Sequence, residues 1–219
     1  MDPVWSAKGG VGCSTVAVAM AAARSRRSAS TILVDLAGDL AILGDVGHPP
    51  GHGVTDWLQS DAPTACLDEL IRPLAPGVDL VPTGSGTRWS EERLLSLLEW
   101  CSSTDRPVVL DVGVVPVRAV TALGATRRHL ARRADSLLVT TACYLALRRL
   151  EELSVRPGRG AVLLREPGRR LGRVEVAELV GAPVVAQLDR DPLIARSVDS
   201  GRILGRAPRS MTRALGRIR

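Results

Sequence analysis

A chain of 219 residues, 45% of them apolar, is long enough to enclose one sizeable core. Phe is absent, Tyr144 is the only tyrosine, and the tryptophans are Trp5, Trp57, Trp89 and Trp100; the core is aliphatic, and recognition of single strands by base stacking has little to rest on. The net charge of +6 suits DNA or an anionic membrane surface, but Arg, Ala, Gly, Pro and Val are residues of GC-rich codons and Lys, Phe and Tyr are scarce together, so most of the excess is read as codon composition.

In chain order, strand-like aliphatic runs are expected at Pro3–Ser6, Thr31–Leu36, Val78–Val81, Val108–Val112, Ser136–Thr140, Ala161–Leu164 and Pro183–Gln187. Several are apolar at consecutive positions, as a parallel strand buried on both faces requires. Helical stretches are expected at Thr15–Arg27, Glu91–Cys101 with Ser90 as N-cap, Arg118–Arg133, Tyr144–Leu153, Arg173–Val180 and Leu193–Ser200. Gly44–Gly53, Ser85–Ser90 and Val155–Gly160 read as loops. None reads as a linker, because the alternation continues across each. The expected fold is α/β, a single domain over residues 1–219: a three-layer, doubly wound, mostly parallel sheet with helices on both faces.

Cys13, Cys66, Cys101 and Cys143 match no zinc or redox spacing, and no apolar run is long enough to span a membrane. A reduced cytosolic chain is expected. His48 and His52 lie in a Gly/Pro loop without a third ligand nearby, so a solvated loop is expected there rather than a metal site.

Residues 6–15 read Ser-Ala-Lys-Gly-Gly-Val-Gly-Cys-Ser-Thr, and Lys8 is the only lysine among 29 basic residues. Strand, Gly-rich loop and helix in this order form a phosphate cradle: backbone N–H groups and the helix N-terminus face the anion, and glycine permits close approach. Gly9, Gly10, Val11, Gly12, Cys13, Ser14 and Thr15 are the candidate nucleotide-contacting residues. This segment resembles the deviant Walker A loop of the ParA/MinD family of P-loop NTPases, Lys-Gly-Gly-x-Gly-Lys-Thr/Ser-Thr. The resemblance implies that Lys8 is the signature lysine, which crosses a nucleotide-sandwich dimer to the partner's phosphates. It also places Ser14 at the magnesium-binding hydroxyl. Cys13 stands where the family carries its second lysine, which contacts the β- and γ-phosphates; a thiol there should weaken triphosphate binding.

The resemblance continues downstream. In Thr31-Ile-Leu-Val-Asp-Leu-Ala, Asp35 matches the first member of the family's Asp-x-Asp, and Ala37 replaces the water-organising second. In Arg106-Pro-Val-Val-Leu-Asp-Val-Gly, Asp111 is placed as a magnesium-shell carboxylate and Gly113 as a backbone contact to the γ-phosphate. Arg165 falls where the family carries an adenine-reading Asn, which puts base recognition in doubt. Leu188-Asp-Arg-Asp-Pro and Ser197-Val-Asp-Ser-Gly-Arg are similar to the family's Asp-Pro loop and the helix after it.

The atypical loop and this tail are most similar to the TadZ/CpaE branch, localisation factors of tight-adherence pili. Many of its members carry a receiver-like domain ahead of the loop. None is expected here, because the loop begins within ten residues of the start. The implied function is a localisation or assembly factor that binds ATP and Mg2+ with slow or no hydrolysis. It would form a nucleotide-dependent homodimer and contact pilus or secretion machinery. The implied alternatives are an active ParA-like ATPase in partitioning or septum placement, and a scaffold that has lost nucleotide. Arg202–Arg219 holds six arginines and no acid. It reads as a contact for DNA or the inner face of the cell membrane, or as a last helix that packs Met211, Leu215 and Ile218 on the domain; the second is expected, because three apolar residues make a narrow stripe.

Overall fold

The computed structural model describes residues 1–43, 53–200 and 209–218. Among these, β1 (Asp2–Ser6), β2 (Thr31–Asp35), β3 (Arg72–Ala75), β4 (Val78–Val81), β5 (Val108–Val114), β6 (Leu137–Thr141), β7 (Gly160–Arg165) and β8 (Val184–Asp189) form one sheet in the order β3-β4-β2-β5-β1-β6-β7-β8. All neighbours are parallel except β3 and β4. β1, β2 and β6 are buried at every position, which explains their unbroken aliphatic runs.

The longer helices are α1 (Cys13–Ser25), α5 (Glu91–Ser103), α6 (Ala122–Ala131), α7 (Tyr144–Leu153), α8 (Arg173–Val180) and α9 (Pro192–Asp199). The short ones are α2 (Leu40–Leu43), α3 (Val54–Gln59), α4 (Cys66–Glu69) and α10 (Arg209–Leu215). Two aliphatic cores lie on opposite faces of the sheet. One packs α3, α5, α6, α7 and α8 through residues such as Trp57, Leu97, Leu130 and Leu150; the other packs α1 and α10 through Val16, Met20, Met211 and Leu215. The expected three-layer α/β architecture is therefore observed.

Local chemistry sets the element ends. The Ser90 hydroxyl accepts from the Arg93 N–H and caps α5 as anticipated, and Thr121 caps α6 through the Gly124 N–H. The helix expected to begin at Arg118 begins four residues later because Thr121 supplies that cap. β3 and α2–α4 were not anticipated. The α10 side chains Met211 and Leu215, with Ile218 just beyond, are buried against the domain, and Arg24 Nη1 donates to the Ile218 carbonyl at 2.9 Å. The described tail thus turns its apolar stripe inward and leaves Arg209, Arg213 and Arg217 in solvent, so that stripe is not open for membrane insertion. Most of the Gly44–Gly53 loop, with His48 and His52, and the segment 202–208 lie outside the described residues.

Candidate functional site

β1 is the switch point of the sheet. The chain leaves it through α1 toward β2 and later returns to place β5 on one side of β1 and β6 on the other, so a crevice opens at the C-terminal strand ends. The loop Lys8–Gly12 fills the start of that crevice. Gly10 and Gly12 adopt φ of +74° and +85°, the left-handed region that favours glycine. Gly12 is the N-cap of α1 and carries no side chain to cap it, and the first turn has no acidic residue. The first N–H groups of a 13-residue helix are thus left facing the loop.

The loop borders a cavity of about 430 Å³ lined by Gly9 through Thr15, with Ser6, Gly113, Val114 and Arg127 among its other walls. Of the residues singled out from sequence, Gly9, Gly10, Val11, Gly12, Cys13, Ser14, Thr15 and Gly113 converge here. Gly113, at φ +70°, lies where an added Cβ would come within 2.9 Å of Ala37 Cβ. A register shift between Val4 and Trp5 makes Val4 pair with Asp111 and Trp5 with Gly113. This irregularity in the β1–β5 ladder lies directly beneath the loop, a common place for a bulge beside a site.

Asp111 is fully buried and lies behind the cavity wall, against Cys13, rather than in the lining itself. Its Oδ1 accepts from the Gly113 N–H at 3.2 Å, while Oδ2 has no partner among the described residues. Burial pushes its pKa up to about 7, against a downward pull from the Ser14 hydroxyl and with a further upward push from Asp35. A buried carboxylate oxygen with no donor is costly unless something absent supplies one. Asp111 Oδ2 and the Ser14 hydroxyl are oxygen donors of the kind that could hold a hard cation.

Cys13 is buried, its Sγ 3.5 Å from the Val4 carbonyl oxygen, 3.6 Å from Asp111 Oδ1 and 3.8 Å from the Gly113 carbonyl oxygen. Burial and the neighbouring Asp111 raise its pKa well above the usual thiol value. The thiol stays protonated, brings no positive charge to the cavity, and is a poor redox nucleophile.

Three residues singled out from the sequence are engaged elsewhere in this structure. Asp35, expected to be catalytic, is fully buried and committed to the backbone. Its Oδ1 accepts from Ala37 N–H at 2.9 Å and Gly38 N–H at 2.7 Å, and its Oδ2 from Leu40 N–H at 3.0 Å. It shapes the turn from β2 into α2. Lys8, expected to reach a partner's phosphates, donates here to the Gly9 carbonyl at 3.1 Å and is not in the wall of its own chain's cavity. Arg165, expected at the base, ends β7 pointing outward and pairs with its register partner Asp189 at 2.8 Å, both well exposed. Glu166 lies instead on the wall of a second cavity, about 310 Å³, on the far side of the loop; Leu164, Asp191, Ile194 and Met211 line it too. Glu166 is held by Arg169 and Arg190 at 2.8 and 2.9 Å.

The residue that sequence reasoning missed is Arg127. It projects from α6 into the loop cavity, with Nη2 on the Leu36 carbonyl at 2.5 Å and Nη1 near the Val114 carbonyl at 3.4 Å. The available signal was its place on the inward stripe of α6, between the buried Gly124 and Ala131.

No protein-family model matches this chain, and no curated protein matches it. Solved structures do. A ParA family ATPase from Chlorobium tepidum TLS superposes with a TM-score of 0.70 at 22% identity, covering 98% of this chain and 95% of that one. MinD in the MinC:MinD cell division complex of Aquifex aeolicus gives 0.74 at 16% identity, with 98% and 92% covered. The septum site-determining protein MinD of Pyrococcus horikoshii OT3, complexed with Mg-ADP, gives 0.70 at 17%, with 99% and 93% covered. The chain therefore has the fold of the ParA/MinD P-loop ATPases.

Proposed function

We propose that this chain binds a nucleoside polyphosphate with Mg2+ at the Gly9–Thr15 loop and turns it over slowly or not at all, acting as a nucleotide-responsive localisation or assembly factor. The observation that carries this reading is the unpartnered Asp111 Oδ2, buried beneath an uncapped helix start and a left-handed glycine cradle. The loop amides would hold the phosphates, and Ser14 and Asp111 would hold Mg2+, which supplies charge neutralisation when bound. Against fast chemistry stand a neutral, buried Cys13 and a methyl group at Ala37. Neither can polarise a phosphate or orient water.

The finer reading is a nucleotide-dependent homodimer serving pilus or secretion machinery. It rests on the sequence resemblance, with Lys8, unengaged by any acid among the described residues, free to reach a partner's phosphates. The exposed Arg209, Arg213 and Arg217 support a contact with DNA or an anionic surface made by charge alone. No helix among the described residues is long and apolar enough to cross a membrane.

The test is calorimetric titration with Mg-ADP and Mg-ATP beside a phosphate-release assay. Binding with release at background is expected. Turnover in the usual range of enzymes, roughly 1 per second or more, would overturn the slow-turnover part, and no heat with either nucleotide would overturn the site.

A further inference from the structure

We propose that Arg127 supplies, from α6, the positive charge that Cys13 no longer supplies from the loop, and that it contacts the bound polyphosphate directly. The proposal rests on the nucleotide-binding reading above and adds to it a residue from outside the loop.

Among the described residues, Arg127 is the one basic side chain in the wall of the loop cavity. Its charge is not neutralised by an ion pair among the described residues: the donors go to the carbonyls of Leu36 and Val114, and no carboxylate lies within salt-bridge distance. A guanidinium has five N–H groups, and two are engaged here. Its Nε is buried with no acceptor among the described residues. Half-burying a cation without an ion pair, with its Nε donor orphaned, carries a cost that is recovered when an oxyanion arrives.

The position is favourable as well. The two carbonyls lie just beyond β2 and at the end of β5, so the guanidinium is clamped across the two strand tips that flank the phosphate cradle. An added Cβ on Gly113 would lie 3.8 Å from Arg127 Nη2 and 2.9 Å from Ala37 Cβ. Arg127 and Ala37 thus share one small space. An acid at position 37 would lie against Arg127 and consume its charge; with alanine there, the guanidinium feels only the longer-range pull of Asp111, Asp35 and Asp39, the last also in the cavity wall, and forms no ion pair among the described residues. The replacements at Cys13 and Ala37 and the arginine at position 127 become one arrangement, in which charge enters the cavity from a helix on the opposite face of the sheet.

The experiment measures Kd for Mg-ADP and for a non-hydrolysable Mg-ATP analogue with wild type, Arg127→Gln, Arg127→Lys, Cys13→Lys and Cys13→Lys/Arg127→Gln. Arg127→Gln should weaken binding by at least about tenfold, as loss of a charge-assisted contact does, and Arg127→Lys should recover part of it. Cys13→Lys should tighten binding little in wild type and by about tenfold or more in the Arg127→Gln background, a non-additivity that a purely structural arginine would not produce. Melting without nucleotide checks that each variant is folded. If Arg127→Gln does not fold, Arg127→Lys and Cys13→Lys still decide: a strong gain from Cys13→Lys beside an intact Arg127 overturns the proposal. Wild-type binding left unchanged by Arg127→Gln overturns it too, while leaving the nucleotide site standing. Failure of the wild type to bind overturns both.

Discussion

Asp35 and Asp111 are register partners on adjacent parallel strands. Both are fully buried, and burial raises the pKa of both. They differ in what reaches their oxygens. Three backbone N–H groups satisfy Asp35 on both oxygens, whereas Asp111 Oδ2 has no hydrogen-bond partner among the described residues. The same residue type, at the same depth, does two jobs. One carboxylate is finished by the fold and holds a turn; the other is left incomplete and is ready for a ligand.

The contrast breaks most visibly at Asp35. Replacing Asp35 with Ala leaves three amides without their acceptor. At ~1–3 kcal/mol for the buried Leu40 N–H, and less for the half-buried Ala37 and Gly38 N–H groups, the loss should be about 2 kcal/mol or more. Urea unfolding would show it, and a loss under about 1 kcal/mol would mean that the turn does not depend on the carboxylate.

Asp111→Asn should do the reverse in the protein without Mg2+. The native pKa of Asp111 is about 7, and in the unfolded chain it is ~3.9. Between those values the unfolded chain has released a proton that the native state keeps, so Asp111 lowers stability as pH rises from about 4 to about 7 and adds nothing further above that. At ~1.4 kcal/mol per unit the penalty at pH 7 is on the order of a few kcal/mol. The asparagine variant should match wild type near pH 4 and exceed it near pH 7.5. Asp2 titrates in both proteins and cancels in the difference, whereas Asp35, which pushes on Asp111, contributes through that coupling. A stability difference that does not change with pH would show that Oδ2 is already satisfied. The same variant should lose the Mg2+-dependent part of nucleotide binding.

A smaller effect is expected at Gly113, where the tips of β2 and β5 meet. Gly113→Ala places a Cβ at φ +70° and within 2.9 Å of Ala37 Cβ. The strained backbone and the contact should together cost about 1–3 kcal/mol. The loss should be smaller in an Ala37→Gly background, which removes the contact and keeps the backbone strain.

Much of this was legible in the sequence because the central strands are aliphatic throughout and the loop glycines sit between strand and helix. β3 was not, since Arg72–Ala75 is short, half-exposed and contains Pro73, a residue suited only to an edge strand. The turn that Asp35 holds was not read from the sequence, although an acid followed by Leu-Ala-Gly-Asp is a turn signature in its own right. Arg165 was placed without regard to parity: side chains alternate at the end of β7, so Arg165 faces solvent and the next residue, Glu166, lines the pocket. Arg127 lay 14 residues beyond Gly113, on a helix whose inward stripe becomes visible only once α6 is laid against β1 and β5.

The mildest change probes both strand tips together. Ala37→Asp would bring a carboxylate beside Asp35 and Asp111, into the space that Ala37 shares with Arg127. It should pair with the guanidinium and weaken Mg-ADP binding several-fold, about the strength of a partly buried ion pair. In an Arg127→Gln background the same carboxylate has no cation to consume, and only its repulsion of phosphate remains. The coupling between positions 37 and 127 in a double-mutant cycle on Kd therefore separates the two effects. Additive losses would mean that Asp at 37 acts on phosphate directly, and that Arg127 keeps its charge whatever stands opposite it.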